Sequence, residues 1–283
     1  MEVKFNNVGY IYNKGTDFEN VILKDINLDL KKGKVHTIVG KSGSGKTTIL
    51  ELIDGLITPT MGSINVGSYC LENSKIPKEI NNMRVKVGLV FQFPEEQFFC
   101  KTVKQEIEFG MNCFHYKTSS IEKRVIDSLK MVGLNEAYLD RDPFSLSHGE
   151  MRSVAIASVL AFNPKIIIFD EPTVGLDCVS KKNLIRLIKL LKTRYSKNII
   201  VVSHDTDFLL KIADTVNVLE DGKIVLSGDK YSVLSNESLM KRNHIAVPKL
   251  IEFSNLVKRK KKIRIGYRDE INDLIKDIYR YVK

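Results

Sequence analysis

The sequence predicts an α/β fold built on a largely parallel sheet, and three observations carry that reading. Ile166-Ile167-Ile168-Phe169 and Asn198-Ile199-Ile200-Val201-Val202 are continuous apolar runs, as expected of strands covered on both faces. Segments with helical spacing alternate with them, for example Leu184, Leu187, Ile188 and Leu191. Between a strand candidate at Val35–Val39 and a helix candidate at Thr47–Ile53 lies Gly40-Lys41-Ser42-Gly43-Ser44-Gly45-Lys46-Thr47, which fits G-x-x-x-x-G-K-[ST] without a mismatch.

The remaining elements follow in order. The first thirty residues read as short strands around the turn signal Asn13-Lys14-Gly15. Gly55 is placed to cap the helix after the glycine loop. Thr58-Pro59-Thr60-Met61-Gly62 is a turn into the strand Ser63–Val66, and Val85–Phe91 is a further strand candidate. From Pro94 to about Glu150 the pattern is helical, with Ile121, Val125, Leu129 and Val132 on one face. An apolar helix at Met151–Ala161 stops before Asn163-Pro164. Val216–Leu219 and Ile224–Leu226 flank the hairpin signal Asp221-Gly222. After Gly228 the strand rhythm ends, and Ile271, Leu274, Ile275 and Ile278 mark an amphipathic helix. The expected organisation is a domain over 1–228, a helical subdomain at about 94–162 inserted in it, and a helical extension over 229–283.

The chain has 283 residues and a formal net charge of +10. The charge is spread out except at Lys258-Arg259-Lys260-Lys261-Lys262 and nearby Arg264. That run reads as a solvated loop, with a lipid-facing role as the alternative. No apolar run reaches the eighteen or so residues of a membrane helix. Met1–Val8 alternates like a strand and lacks a signal-peptide core, so a cytoplasmic protein is expected, with any membrane work done through a partner. Cys70, Cys100, Cys113 and Cys178 are scattered with no C-x-x-C pair, which argues against a zinc site or a disulfide frame.

The glycine loop points to phosphate chemistry. Glycines let backbone N–H groups approach phosphate oxygens, and a helix N-terminus adds partial positive charge. Lys46 is then placed for the β- and γ-phosphates, and the Thr47 hydroxyl for Mg²⁺. Asp170-Glu171 ends a buried strand at the sheet edge where ligands bind. Asp170 suits a Mg²⁺ ligand, and Glu171 suits polarising a water that attacks the γ-phosphate. Taken singly, the loop reads as a flexible turn and the acids as an ordinary polar loop.

Ser145-Leu146-Ser147-His148-Gly149-Glu150 resembles the signature motif of ABC ATPases. Tyr12, Gln92, Gly175-Leu176-Asp177 and His204 match that family in order, as the adenine-stacking aromatic, the Q-loop glutamine, the D-loop and the switch histidine. The resemblance covers about residues 1–228. It implies a P-loop NTPase with a RecA-like core, an N-terminal antiparallel β subdomain, an inserted helical subdomain and a small C-terminal helical extension used for dimerisation. It implies ATP and Mg²⁺ as cofactors. Nucleotide contacts are expected from Tyr12, Gly40, Lys41, Ser42, Gly43, Ser44, Gly45, Lys46, Thr47, Thr48, Gln92 and Asp170. Metal contacts are expected from Thr47, Gln92 and Asp170, and catalysis from Lys46, Gln92, Glu171 and His204. Two such subunits would close head to tail, so that Ser147 and Gly149 serve the partner's nucleotide and Asp177 links the sites.

One departure stands out. The family usually has Gly where this chain has His148, and commonly Gln where it has Glu150. Added bulk and negative charge predict that the site completed by this signature is the weaker of the two. The contrary reading is that a protonated His148 helps to hold phosphate.

Val8–Glu19, Phe91–Phe99, Met151–Ala161 and Val247-Pro248-Lys249 look like ATPase subunits of energy-coupling factor transporters, the cobalt- and vitamin-importing branch, and closer to the second of their two unlike ATPases. That implies a second, unlike ATPase as partner in a heterodimer, a transmembrane coupling protein, a substrate-binding membrane protein, a peripheral position on the cytoplasmic face of the membrane, and no nucleic acid. Phe93, Phe98 and Phe99 are read either as anchors for the coupling protein or as packing of the helical subdomain. The alternatives are a conventional importer ATPase acting as a homodimer and, less favoured, a soluble ABC ATPase acting on ribosomes or nucleic acid. The transported solute is not encoded here.

Overall fold

In the computed structural model, residues 1–72, 75–261 and 265–282 are described. β1 (Val3–Tyr12) and β2 (Asn20–Leu30) open the chain; β3 (Val35–Val39) and α1 (Lys46–Asp54) flank the glycine loop. β4 (Met61–Val66), β5 (Tyr69–Glu72), the short α2 (Ile80–Arg84) and β6 (Val87–Val90) follow. The helices α3 (Val103–Cys113), α4 (Ile121–Met131) and α5 (His148–Ala161) precede β7 (Ile166–Asp170). Next come α6 (Cys178–Thr193), β8 (Asn198–Val202), α7 (Thr206–Ile212), β9 (Thr215–Glu220) and β10 (Lys223–Asp229). The chain continues through α8 (Lys230–Leu234), α9 (Glu237–Arg242), α10 (Lys249–Lys261) and α11 (Ile271–Val282).

The strands form two sheets. The first, in the order β2-β1-β4-β5, is antiparallel. The second has the order β10-β9-β3-β8-β7-β6; it is parallel except for the β9–β10 hairpin at one edge. The unbroken apolar runs of β7 and β8 now have a cause. Ile166, Ile168, Ile200 and Val202 face a core shared with α1 and the antiparallel sheet. Ile167, Phe169, Ile199 and Val201 face the opposite core, shared with α6 and α7. Full burial of each such side chain contributes roughly 1.5–3 kcal/mol.

α1 projects Ile49, Leu50, Leu52 and Ile53 into the first core, and Gly55 ends it in the left-handed conformation its position predicts (φ 72°). Gly40 is required by close approach, because a Cβ there would lie 2.2 Å from the Leu219 carbonyl oxygen. Gly45 is required by its backbone, at φ 103°.

α3, α4 and α5 build a third core around Val103, Ile107, Val125, Leu129 and Val154. α5 also sends Ile156 and Leu160 into the central core. Two neighbours therefore cover it, which explains why its sequence is apolar on nearly every side. The run at Lys258–Lys261 corrects an expectation: it is the exposed last turn of α10 rather than a loop. Lys and Arg are good helix formers, and cations are favoured at a helix C-terminus. Lys262 and Arg264 lie outside the described residues.

A buried ion pair joins these parts. Arg152 on α5 donates from Nε to Glu95 Oε2 at 3.0 Å and from Nη2 to Glu95 Oε1 at 2.6 Å. Its Nη1 donates to the carbonyls of Val174 (2.8 Å) and Pro172 (3.3 Å) in the loop after β7. Burial pushes the Glu95 carboxyl up, but the Arg152 hydrogen bonds and charge together hold it below its ordinary range. Arg152→Ala is expected to destabilise the fold by about 3–5 kcal/mol, because it strands the Glu95 charge. Urea unfolding checks this, and an Arg152→Met, Glu95→Gln double variant should recover most of the loss.

Candidate active site

Four neighbouring parallel strands deliver their C-terminal ends to one cavity of about 320 Å³. β3 leads into the glycine loop, β6 is followed by Gln92, β7 ends in Asp170 with Glu171 next, and β8 is followed shortly by His204. Ser42, Gly43, Gly45, Lys46, Thr47, Thr48, Gln92, Asp170, Glu171 and His204 all line this space. The β strands place these groups there because ligands in open α/β sheets lie beyond the strand C-termini.

The start of α1 is built to receive an anion. α3 to α9 each begin with a side chain that caps the first turn. α1 has no such cap and no acid in its first turn, so its N–H groups and partial positive charge face the cavity uncontested. Lys46 Nζ meanwhile donates to the carbonyls of Gly40 (2.9 Å) and Lys41 (2.7 Å). Burial lowers the Lys46 pKa, while the charges of Glu171 and Asp170 oppose the shift.

The acids carry the cost of this arrangement. Burial and then the neighbouring Glu171 charge push Asp170 up to about 6, against the pull of Lys46 and the Thr47 hydroxyl. Glu171 sits at φ 44°, in the left-handed region that disfavours a side chain. Its Oε2 accepts from the His204 N–H at 3.1 Å. Its Oε1 lies 3.3 Å from His204 Nε2 but is not aligned for a hydrogen bond, and it is buried without a partner. The donor set of the Thr47 hydroxyl, the Asp170 carboxylate and the Gln92 amide oxygen is all hard oxygen and suits Mg²⁺. The raised Asp170 and the unpartnered Glu171 Oε1 show a cavity with negative charge in excess of its donors.

Not every expected residue lies here. Gly40, Lys41 and Ser44 belong to the loop without lining the cavity; Gly40 packs on Leu219, and the Ser44 hydroxyl is buried and unpartnered. Tyr12 is also outside. Its hydroxyl donates to Glu51 Oε2 at 3.1 Å, and its ring meets Tyr10 edge-on at 4.8 Å. Ile22 of β2 does line the cavity, and nothing in its local sequence marks it.

Ser147, Gly149 and Asp177 gather elsewhere, where α5 and α6 begin side by side. Gly149 packs against Ser180 there, whose Oγ would have to rotate to admit a Cβ. Asp177 caps α6 through Ser180 N (2.7 Å). Glu150 is not the free charge the sequence suggested. Ser147 caps α5, and the Glu150 carboxylate reaches back to it in a capping box. Hydrogen bonds from the Tyr138 hydroxyl, and then from Ser147, hold the Glu150 pKa down to about 2.

A separate groove of about 510 Å³ runs between the helical cluster and the parallel sheet. The three aromatics near it divide their roles. Phe98 is buried in the helical core, Phe93 lies under the Arg152 guanidinium, and Phe99 stacks edge-on with Phe109 at 4.6 Å, both largely exposed.

Comparison with known proteins bears on the family and the fold. The ABC transporter family profile matches residues 23–174, more than half of the chain. The chain is 41% identical over 254 residues to the energy-coupling factor transporter ATP-binding protein EcfA2 of Streptococcus thermophilus, covering 90% of each. It is 37% identical over 260 residues to EcfA2 of Staphylococcus epidermidis, covering 92% of this chain and 91% of that one. Among solved structures it resembles cbiO1 from Clostridium perfringens, part of the ABC transporter complex cbiONQ, with a TM-score of 0.72 at 31% identity over 89% of this chain and 98% of that one. It also resembles a dimeric ATP-binding cassette in a post-hydrolysis state bound to ADP and Pi, with a TM-score of 0.71 at 32% identity over 81% of this chain and 98% of that one.

The raised Asp170 pKa makes a stability prediction. A carboxyl that holds its proton more tightly folded than unfolded favours folding at low pH, and that contribution is lost as pH rises from about 4 through about 6. Asp170→Asn is therefore expected to raise stability at pH 7.5 by about 1–2 kcal/mol, after allowance for solvent screening, and to leave it nearly unchanged at pH 4. Thermal unfolding at the two pH values checks the difference.

Proposed function

The chain belongs to the ABC transporter family, among the energy-coupling factor transporter ATP-binding proteins, and from that premise we propose that it binds and hydrolyses ATP in the strand-end cavity to power uptake of a micronutrient. The observation that supports this best is the convergence of Lys46, Thr47, Gln92, Asp170, Glu171 and His204 on one cavity beside the uncapped start of α1.

The geometry supports the following roles. The N–H groups of the glycine loop cradle the phosphates, and Lys46 exchanges its two loop carbonyls for phosphate oxygens. Thr47, Asp170 and Gln92 would hold Mg²⁺, which supplies charge neutralisation at the phosphates. Glu171 is the general base, its unpartnered Oε1 being the acceptor for a proton of the attacking water. His204 orients that carboxylate through its N–H and faces the γ-phosphate with its ring. For Tyr12, which lies outside the cavity, the adenine contact rests on the family resemblance alone.

Ser147, Gly149 and Asp177 are assigned to a second nucleotide, across a head-to-tail dimer; the similar ATP-binding cassette is itself dimeric. The partner proposed for that dimer is a second, unlike ATPase. α11 presents Ile271, Ile275 and Tyr279 outward, which suits the extension to a dimer contact. Among the described residues no helix is long and apolar enough to cross a membrane. In the proposed assembly this subunit sits on the cytoplasmic face, with a transmembrane coupling protein in the groove beside Phe99 and Phe109 and a separate membrane protein binding the solute.

Glu171→Gln is expected to lower turnover of the purified assembly by about 10²–10⁴-fold while ATP binding persists. Lys46→Ala should remove both binding and turnover at this chain's own cavity. Turnover at this chain's own cavity that stays at the unsubstituted level after either change would overturn the assignment. Phe99→Ala with Phe109→Ala should weaken co-purification with the coupling protein and leave the thermal stability of the isolated chain within about 0.5–1 kcal/mol, as for exposed positions.

A further inference from the structure

We propose that Tyr138 and Glu150 form a latch on Ser147 that withholds the hydroxyl proton a phosphate would need, so that this chain's signature segment weakens ATP binding at the site it completes. The inference rests on the ATP-binding reading above and assigns Tyr138 as a positioning residue, which neither the sequence pattern nor the family resemblance singles out.

The donors and acceptors can be counted. Ser147 has one hydroxyl proton, and it goes to Glu150 Oε2 at 2.7 Å. The Ser147 backbone N–H goes to the same oxygen at 2.9 Å. The Glu150 N–H in turn approaches Ser147 Oγ at 3.4 Å. Ser147 is exposed, yet it offers a visiting ligand only lone pairs. An ionised phosphate oxygen is itself only an acceptor, so the two repel until the proton is released. Release means breaking a charge-assisted bond, which is roughly twice as strong as a neutral one.

A capping box needs only the Ser147–Glu150 exchange. The structure adds a third donor: the Tyr138 hydroxyl donates to the other carboxylate oxygen, Glu150 Oε1, at 2.6 Å. Tyr138 is itself held, in a turn capped by Asn135 and with the Arg141 guanidinium 4.4 Å over its ring. Both oxygens of Glu150 are therefore pinned, and the carboxylate cannot swing away when phosphate arrives. The Glu150 carboxyl stays ionised at any working pH, being held down to about 2. The latch is therefore a fixed property of this signature and not a pH switch. It also bears on the two readings of the altered signature: Glu150 acts by holding Ser147, with no demand on His148.

Equilibrium binding of a fluorescent ATP analogue with Mg²⁺ to the complete assembly tests the latch. Tyr138→Phe removes one hydroxyl and keeps the ring on Arg141; Glu150→Gln keeps the capping geometry and removes the charge. Each is expected to tighten Kd about five- to tenfold at the site completed by Ser147, the scale of one charge-assisted hydrogen bond made neutral. Adding Ser147→Ala to Glu150→Gln should abolish the gain. A Kd that stays the same or weakens in both variants, with only a fall in melting temperature, would show a cap and nothing more, and would overturn the proposal. Binding of the same analogue to the isolated chain's own cavity that persists in Lys46→Ala would instead overturn the ATP reading beneath it, which keeps the two failures apart.

Discussion

The bidentate pair between Arg152 and Glu95 is the constraint on which the working parts of this structure depend. Arg152 touches two separate segments beyond its own helix. Glu95 follows Gln92 by three residues, Arg152 follows Ser147 by five, and the carbonyls of Pro172 and Val174 lie just beyond Glu171. A buried pair of this kind adds little net stability compared with an apolar replacement, but breaking it is costly. Its effect is to fix register. One guanidinium thus ties the segment after β6, the start of α5 and the loop after β7 to one another.

The second theme is unsatisfied charge and strain held in readiness. The cavity has an uncapped helix, a lysine folded back on its own loop, a half-buried aspartate near neutral pKa, and a glutamate in a strained backbone with one oxygen unpartnered. Each is unfavourable in the folded chain alone. Together they describe the complement of a ligand rich in negative oxygens and carrying a cation. The apolar cores on both faces of the parallel sheet supply the surplus stability that such a site draws on.

Much of the cavity was legible in the sequence because its rules are local. A strand, a glycine loop and a helix in succession leave Lys46 and Thr47 one place to go, and an apolar run ending in Asp170-Glu171 leaves those acids at a strand end. The cap at Gly55 and the hairpin at Asp221-Gly222 were legible for the same reason. The expectations that changed turned on contacts between distant segments. The basic run joined a helix because α10 arrived there with good helix formers. Phe98 went inward and Phe99 outward because the helical core lies on only one side of that segment. Ile22 reached the cavity because β2 packs against the glycine loop, so closely that a Cβ at position 45 would come 2.7 Å from Leu23.

By itself, then, the sequence determined the fold class, the strand-end placement of the catalytic candidates and the family. All of these follow from spacing along the chain, where a missing Cβ or an apolar period leaves one backbone solution. Only the tertiary structure decided what each polar group does with its protons. Glu95 and Arg152 are 57 residues apart, and Tyr138 and Glu150 are 12 apart across a turn and a helix start. A hydroxyl or a carboxylate has the same letter in the sequence whether it faces solvent, a ligand or a neighbour. Its partner is chosen by packing, and packing is set by the whole chain at once.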